Sequence, residues 1–298
     1  MEAARFSGIY PMQFAFFDSA GRLDRSAMRR QVQACLAGGA HGVACLGLGT
    51  EVGKLTPLER RDVIDWIAAD VAGRVPVAVT VAGDSVDEQV ALGDYARAAG
   101  ASWLILQPPP ERGLPETHYA EFFAGVMARV DLPCAIQNAP EYLGVGLGPT
   151  ALCALARQAP NFVLLKGEGS VLLIRRAIEA ASGALAVFNG RGGLELPDNL
   201  RAGCAGMIPA TDTFDYQVRI YAAMRAGDEA AAEAIYRQVL PAIVFVMQSL
   251  DQFLCYGKRI AAWRLGLGEV FDRRPALTPE AFGLDCARRY AQALGPLR

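Results

Sequence analysis

The sequence predicts a (β/α)8 barrel carrying a helical C-terminal extension. Three observations predict it. Eight short apolar runs alternate with longer amphipathic stretches. These units recur every ~20–35 residues, the size of one βα unit in an eight-stranded barrel. Beyond about Asp212 the strand-like runs cease and only helical patterns follow. Several apolar runs are almost wholly hydrophobic, as strands covered on both faces should be.

The first run, residues 9–16, is followed by a helical pattern over 25–37, which stops at Gly38-Gly39. Strand two is expected over 42–46. The next helix, 57–71, opens with Thr56-Pro57-Leu58-Glu59: a cap residue, a proline at the first helical position and an acid in the first turn. Strand three falls on 75–81. Asp84-Ser85-Val86-Asp87-Glu88 starts the helix over 86–98, and Gly100 ends it. Strands four to eight are expected over 103–106, 134–136, 162–165, 185–188 and 207–208. The helices between them are expected over 116–130, 150–158 and 170–181. The tail reads as helices over 212–226, 229–253, 257–265 and 279–294, with a break expected at Leu240-Pro241. The predicted organisation is a barrel over 1–211 and an extension over 212–298 packed on it as one structural unit, since no Pro/Gly/Ser-rich linker divides them. A doubly wound open sheet is the alternative. It lacks a GxGxxG after the first strand and a second half repeating the first.

Composition bounds the function. Of 298 residues, 52% are hydrophobic and 20% charged, which suits one large core rather than disorder. Lys+Arg total 29 and Asp+Glu 31, a net charge of −2, which offers no electrostatic footprint for nucleic acid or an anionic membrane. No apolar stretch approaches the ~20 residues of a spanning helix. Residues 1–5 have no signal-peptide core behind them. Seven scattered cysteines without a CxxC pair read as reduced, buried thiols, and a cytoplasmic location is expected. His41 and His118 lie far apart without HxH or HExxH context, so no metal site is expected.

A barrel puts its active site at the C-terminal ends of its strands. Strand six ends Leu164-Leu165-Lys166-Gly167-Glu168, and the chain has only three lysines: Lys54, Lys166 and Lys258. Lys166 follows an apolar strand directly. Such a lysine either attacks a carbonyl as a desolvated amine or neutralises a carboxylate such as Glu168 or Glu51. The turn Gly47-Leu48-Gly49-Thr50-Glu51 either presents N–H groups and the Thr50 hydroxyl to a carboxylate or is an ordinary strand-to-loop turn. Gln137 and Asn138 either orient a polar substrate or cap the loop ending at Pro140. Arg191, in Gly190-Arg191-Gly192-Gly193, either neutralises a substrate carboxylate or is a solvated loop charge. Those glycines also fit a phosphate-binding turn after strand seven.

With these residues placed, the chain resembles the dihydrodipicolinate synthase/N-acetylneuraminate lyase family, from Gly8-Ile9-Tyr10-Pro11 to the C-terminal helices. The resemblance implies an eight-stranded barrel with a helical extension, and a lysine ending strand six that binds an α-keto acid as a Schiff base. That lysine maps onto Lys166. The family's glycine-threonine-threonine-glycine-glutamate turn maps onto Gly47 to Glu51, with Leu55-Thr56 and Glu59-Arg60 behind it. Its tyrosine-asparagine-x-proline motif maps onto Gln137-Asn138-Ala139-Pro140, and its glycine after strand seven onto Gly190. Four departures argue against a true dihydrodipicolinate synthase. The proton-shuttling tyrosine is Gln137, which cannot transfer a proton near neutral pH. The two turn threonines are Leu48 and Gly49, leaving Thr50 as the one hydroxyl. The segment after strand four, Gln107 to Glu111, has no tyrosine. The arginine that binds a dicarboxylate falls on Tyr142.

The L-2-keto-3-deoxyarabonate dehydratase branch is more similar. It shares the glutamine, a lysine-x-glutamate pattern like Lys166-Gly167-Glu168, and a hydroxyl residue before the turn glutamate. This likeness implies a class I lyase acting on a 2-keto-3-deoxy sugar acid, a dehydratase rather than an aldolase. Lys166 is expected to form the imine and Glu168 to act as acid and base. Thr50 with the Gly49 backbone is expected to hold the carboxylate, and Gln137 and Asn138 to bind hydroxyls. Gly190, Arg191 and Ile208 complete the substrate-binding set. No organic or metal cofactor is implied, because the imine is the electron sink. The alternatives are a pyruvate-releasing aldolase and a catalytically silent keto-acid-binding barrel. The family habit and the apolar residues within 220–224 and 243–247 suggest a homo-oligomer, a dimer or tetramer.

Overall fold

The computed structural model describes residues 6–297; the N-terminal residues 1–5 read above for a leader lie outside them. Eight strands, β1 (Gly8–Ile9), β2 (Val43–Cys45), β3 (Val77–Val81), β4 (Trp103–Leu106), β5 (Cys134–Asn138), β6 (Phe162–Gly167), β7 (Ala186–Asn189) and β8 (Gly206–Met207), form one sheet in the order β1-β8-β7-β6-β5-β4-β3-β2, with every pair parallel. Met12 closes it. It bridges Ala44 on one side and Ala210 on the other, and the N–H of Gln13 donates to the Ala44 carbonyl at 2.9 Å. The sheet is therefore a closed barrel without free edges.

Helices α1 (Arg25–Ala37), α2 (Pro57–Val71), α3 (Val86–Ala99), α4 (Glu116–Met127), the single turn α5 (Pro140–Leu143), α6 (Pro149–Gln158), α7 (Val171–Ala181) and α8 (Leu196–Arg201) wrap the barrel. The expected caps are in place. Thr56 Oγ1 accepts from the Glu59 N–H at 3.2 Å while the Glu59 carboxylate accepts from the Thr56 N–H at 2.9 Å. Each strand sends alternate residues inward and outward. On β4, Trp103 and Ile105 join the lumen cluster with Tyr10, Ala135, Leu164 and Phe188, while Leu104 and Leu106 pack beneath the helices. On β6 the same alternation turns Leu164 and Lys166 into the lumen, with Lys166 at its top.

The extension consists of α9 (Phe214–Arg225), α10 (Glu229–Val246), α11 (Leu250–Gln252), a π-helical segment at Phe253–Gly257, α12 (Lys258–Arg264) and α13 (Ala281–Leu294). It is pinned to the barrel by ion pairs, Lys258 to Glu51 and Arg273 to Glu59 at 2.6 Å, and within it Arg264 ties α12 to Asp215 of α9 at 2.7 Å.

Two expectations change. Residues 10–17 are mostly irregular apart from the Met12 and Phe17 bridges, because the chain crosses there from β1 to α1. The helix expected to break at Pro241 does not: α10 runs through it and stops at Val246. Burial of Val239, Ala242, Ile243 and Val246 holds the helix together across the missing N–H. The chain turns at Met247–Ser249 instead, where Ser249 caps the next helix and the axis bends by 111°. The apolar stretches offered for self-association are mixed: Ile220, Tyr221, Ile243 and Val246 are buried, Ala223, Met224, Phe245 and Met247 are half-buried, and Ala222 and Val244 are exposed.

All seven cysteines are free and six are buried. Burial pushes the thiols of Cys35, Cys45 and Cys134 up to about 12, the inert form of a thiol. Among the described residues no single helix is long and apolar enough to cross a membrane, and no group of three or more His, Cys, Asp or Glu could hold a metal ion.

Candidate active site

The parallel pairing of β5 and β6 sets Gln137 opposite Lys166. Two residues on, Glu168 turns back over the same lumen. Its Oε1 lies 2.8 Å from Lys166 Nζ, and the two side chains are only 4% and 7% exposed. Its Oε2 accepts from Gln137 Nε2 at 3.2 Å, and Gln137 Oε1 in turn accepts from Gln107 Nε2 at 2.9 Å. A buried ammonium thus meets a carboxylate whose other oxygen is held by an amide. The remaining lysines are committed elsewhere: Lys54 Nζ lies 2.5 Å from Glu51, and Lys258 is fully buried against the same carboxylate. Of the three, Lys166 lines the cavity at the barrel mouth.

The empty space at this mouth, its opening to solvent included, is about 480 Å³. Lys166, Glu168, Tyr142 and Arg191 supply its polar side chains, and Gly49 and Ile208 also line it. Arg191 adopts φ 56, and its ion pairs with Glu195 and Glu141 are long, 3.6 and 3.9 Å. Its Nε has no acceptor. Tyr142 shares a hydrogen bond with Arg191, and its hydroxyl titrates above the ordinary range because it is desolvated; the Arg191 bond partly offsets this, and the Glu168 charge adds to it. The N–H groups of Leu48 and Gly49, at the start of the short 3₁₀ turn Leu48–Thr50, make no hydrogen bond within the described residues. Both residues line the cavity.

Four expected roles change. Thr50 is fully buried, and its hydroxyl donates to the Gln13 carbonyl at 2.6 Å with Met12 Sδ at 3.4 Å. Its N–H donates to the Gly47 carbonyl at 3.0 Å. It has no donor left for a substrate carboxylate, because the 3₁₀ turn rotates it away from the cavity. Asn138, one residue past Gln137, points to the other face: its amide spans the Leu147 backbone, donating at 3.0 Å and accepting at 2.7 Å, and so fixes the loop after β5. Gln137 is inward but sits behind Glu168, outside the cavity lining. Gly190 works by leaving space, because a Cβ there would stand 2.5 Å from Glu168 Oε1.

Sequence reasoning missed the roof. Met247, Leu250 and Phe253, spaced three apart at the break after α10, line the cavity together with Met12 and Leu48. A Cβ on Gly49 would lie 3.6 Å from the Phe253 ring, and one on Gly192 would lie 2.7 Å from Met247 Sδ. The extension therefore reaches from the turn after β2 to the turn after β7, across the barrel mouth. The spacing of three was the available signal, but it reads equally well as one face of a continuous helix.

The profile of the Dihydrodipicolinate synthetase family matches residues 5–279. The chain is 30% identical over 247 residues to "Probable 2-dehydro-3-deoxy-D-pentonate aldolase YjhH" of Escherichia coli K12, covering 80% of this chain and 82% of that one. It is 31% identical over 246 residues to the 4-hydroxy-tetrahydrodipicolinate synthase of Methanoculleus marisnigri, covering 79% and 82%. Among solved structures, YagE of E. coli K12, a prophage protein of the dihydrodipicolinic acid synthase family crystallised with pyruvate, superposes with a TM-score of 0.89 at 25% identity, covering 97% of this chain and 98% of that one.

Proposed function

The chain belongs to the dihydrodipicolinate synthetase family, and from that premise we propose that it is a class I, Schiff-base lyase acting on a 2-keto-3-deoxy sugar acid, as a dehydratase. The contact between Lys166 Nζ and Glu168 Oε1 carries this reading. Glu168 is placed to take a proton from the ammonium, and the free amine attacks C2 with loss of water. The iminium acidifies C3. A base removes a C3 proton, and the enamine expels the C4 hydroxyl, which Glu168 protonates as it leaves as water. Loss of a C5 proton and tautomerisation then turn the C5 hydroxyl into a carbonyl. Hydrolysis of the imine frees Lys166 and a 2,5-dioxo acid, so that one water is lost overall. The Leu48 and Gly49 N–H groups hold the C1 carboxylate, taking over from Thr50. Tyr142 and Arg191 meet the sugar hydroxyls.

Dehydration is favoured over carbon–carbon cleavage by what each needs at C4. Cleavage must remove the C4 hydroxyl proton, and Gln137 at the position of the family tyrosine has no proton to exchange, which leaves that task to Glu168 or a water. A pyruvate-releasing aldolase is the second reading, favoured by the name of YjhH. The test is to incubate the protein with 2-keto-3-deoxypentonates and hexonates and quantify pyruvate against the 2,5-dioxo acid. Dominant dioxo acid supports the dehydratase; dominant pyruvate selects the aldolase.

A further inference from the structure

We propose that the substrate ends in a methyl group: among 2-keto-3-deoxy acids, the cavity selects those with a hydroxyl at C5 and none at C6. The inference rests on the Schiff-base reading above and refines its substrate. The polar demand of such an acid is its carboxylate, C2, the C4 hydroxyl and the C5 hydroxyl. The polar supply of the cavity is the Leu48 and Gly49 amides, Lys166, Glu168, and the Tyr142–Arg191 pair. These groups meet that demand from the walls, where Tyr142 and Arg191 stand, and the roof above them carries no polar side chain.

The rest of the wall is hydrocarbon and thioether. Met247, Leu250 and Phe253 cross the barrel mouth, with Phe253 against the turn that holds Gly49 and Met247 against the turn that holds Arg191. Ile208 lies below them at the end of β8. On the Schiff-base reading, a substrate fixed at C2 by Lys166 and at C1 by the Gly49 turn extends beneath this roof, which spans from the Gly49 turn to the Arg191 turn. A C6 hydroxyl there would lose water and find no partner, whereas a methyl group would fill the same space at no polar cost. An apolar pocket rejects an added hydroxyl by a limited factor, so the expected preference is about 10- to 100-fold.

The experiment uses matched six-carbon acids of the same C4 and C5 configuration, 2-keto-3,6-dideoxyhexonate and 2-keto-3-deoxyhexonate, in each stereochemical series. Calorimetric binding to Lys166→Ala, which cannot form the imine, reads the preference apart from the chemistry. Turnover of the wild type reads it as kcat/KM. The 6-deoxy acid should bind and react at least tenfold better in one series, and Met247→Gln, which puts an amide into the roof, should narrow the ratio. Equal or tighter binding of the hydroxyl-ended acid in every series overturns the inference, as does failure of both acids to bind. Failure of the Schiff-base reading looks different: the Kd preference persists, but borohydride traps neither acid on the wild-type protein.

Discussion

Gln137 stands directly opposite Lys166 across the β5–β6 pair, and the Glu168 carboxylate joins their side chains, 2.8 Å from the ammonium and 3.2 Å from the amide. Where the family has a tyrosine, this chain has an amide that donates to the acid–base group without exchanging a proton itself. On the proposed mechanism the proton traffic at C3 and C4 falls to Glu168. Glu168→Gln should lower kcat by about 10²–10⁴, the usual range for loss of a positioned acid–base group. Steady-state assay of the dehydration product checks this, and a variant within tenfold of wild type would remove Glu168 from its role.

Gly190 holds the same carboxylate in place by absence. With a Cβ 2.5 Å from Glu168 Oε1, Gly190→Ala must push the carboxylate off Lys166. A displacement of about 1 Å at a reacting group costs about 10² in rate. The expected result is a kcat loss of that size with pyruvate trapping on Lys166 retained. Full activity would show that Glu168 tolerates displacement.

The hydroxyl of Thr50 is engaged by the Gln13 carbonyl, so it is expected to support the turn rather than the ligand. Thr50→Val removes the hydroxyl that donates to Gln13 at 2.6 Å and should destabilise the fold by about 1–3 kcal/mol. Pyruvate affinity should stay within a few-fold. Denaturant melts and equilibrium binding separate the two effects, and a tenfold loss of affinity without a change in stability would return Thr50 to the carboxylate site.

Asp212, just past β8, is buried with one carboxylate oxygen unpartnered, and desolvation pushes it up to about 7, with the Arg264 charge offsetting part of the rise. The folded chain thus keeps this proton to a higher pH than the unfolded chain, whose value is near 3.8. Stability from this group is fully present below the unfolded value and is lost as pH rises through the folded one. Asp212→Asn should therefore gain about 2–3 kcal/mol more over wild type at pH 8 than at pH 5. Paired denaturation curves at the two pH values measure it, and a pH-independent difference would contradict it.

The barrel was legible because its signals are local. Helices α1 and α2 fall on their expected residues, since cap chemistry at Thr56 and the glycines after α1 mark boundaries within a few residues of the chain. Lys166 was legible because it follows an apolar strand directly, and Glu168 because it lies two residues on, just past the end of β6. For Thr50 and Asn138 both outcomes, ligand contact or support of the turn and loop, were legible, but not which of the two holds. Each depends on a partner distant in sequence, Gln13 or Leu147, and on a turn that rotates the side chain by one position. The roof was hidden for a related reason: whether Met247 and Phe253 face the barrel depends on a 111° bend that Ser249 fixes, while the more conspicuous Pro241 passes through α10 unbroken.

The central claim is that Lys166 forms the imine. Wild-type protein incubated with pyruvate and borohydride, then digested and read by mass spectrometry, should carry one reduced pyruvyl adduct on the Lys166 peptide. The Lys166→Ala variant should carry none and turn over nothing. An adduct on Lys54 or Lys258, or no adduct on the wild type at saturating pyruvate, would contradict the account.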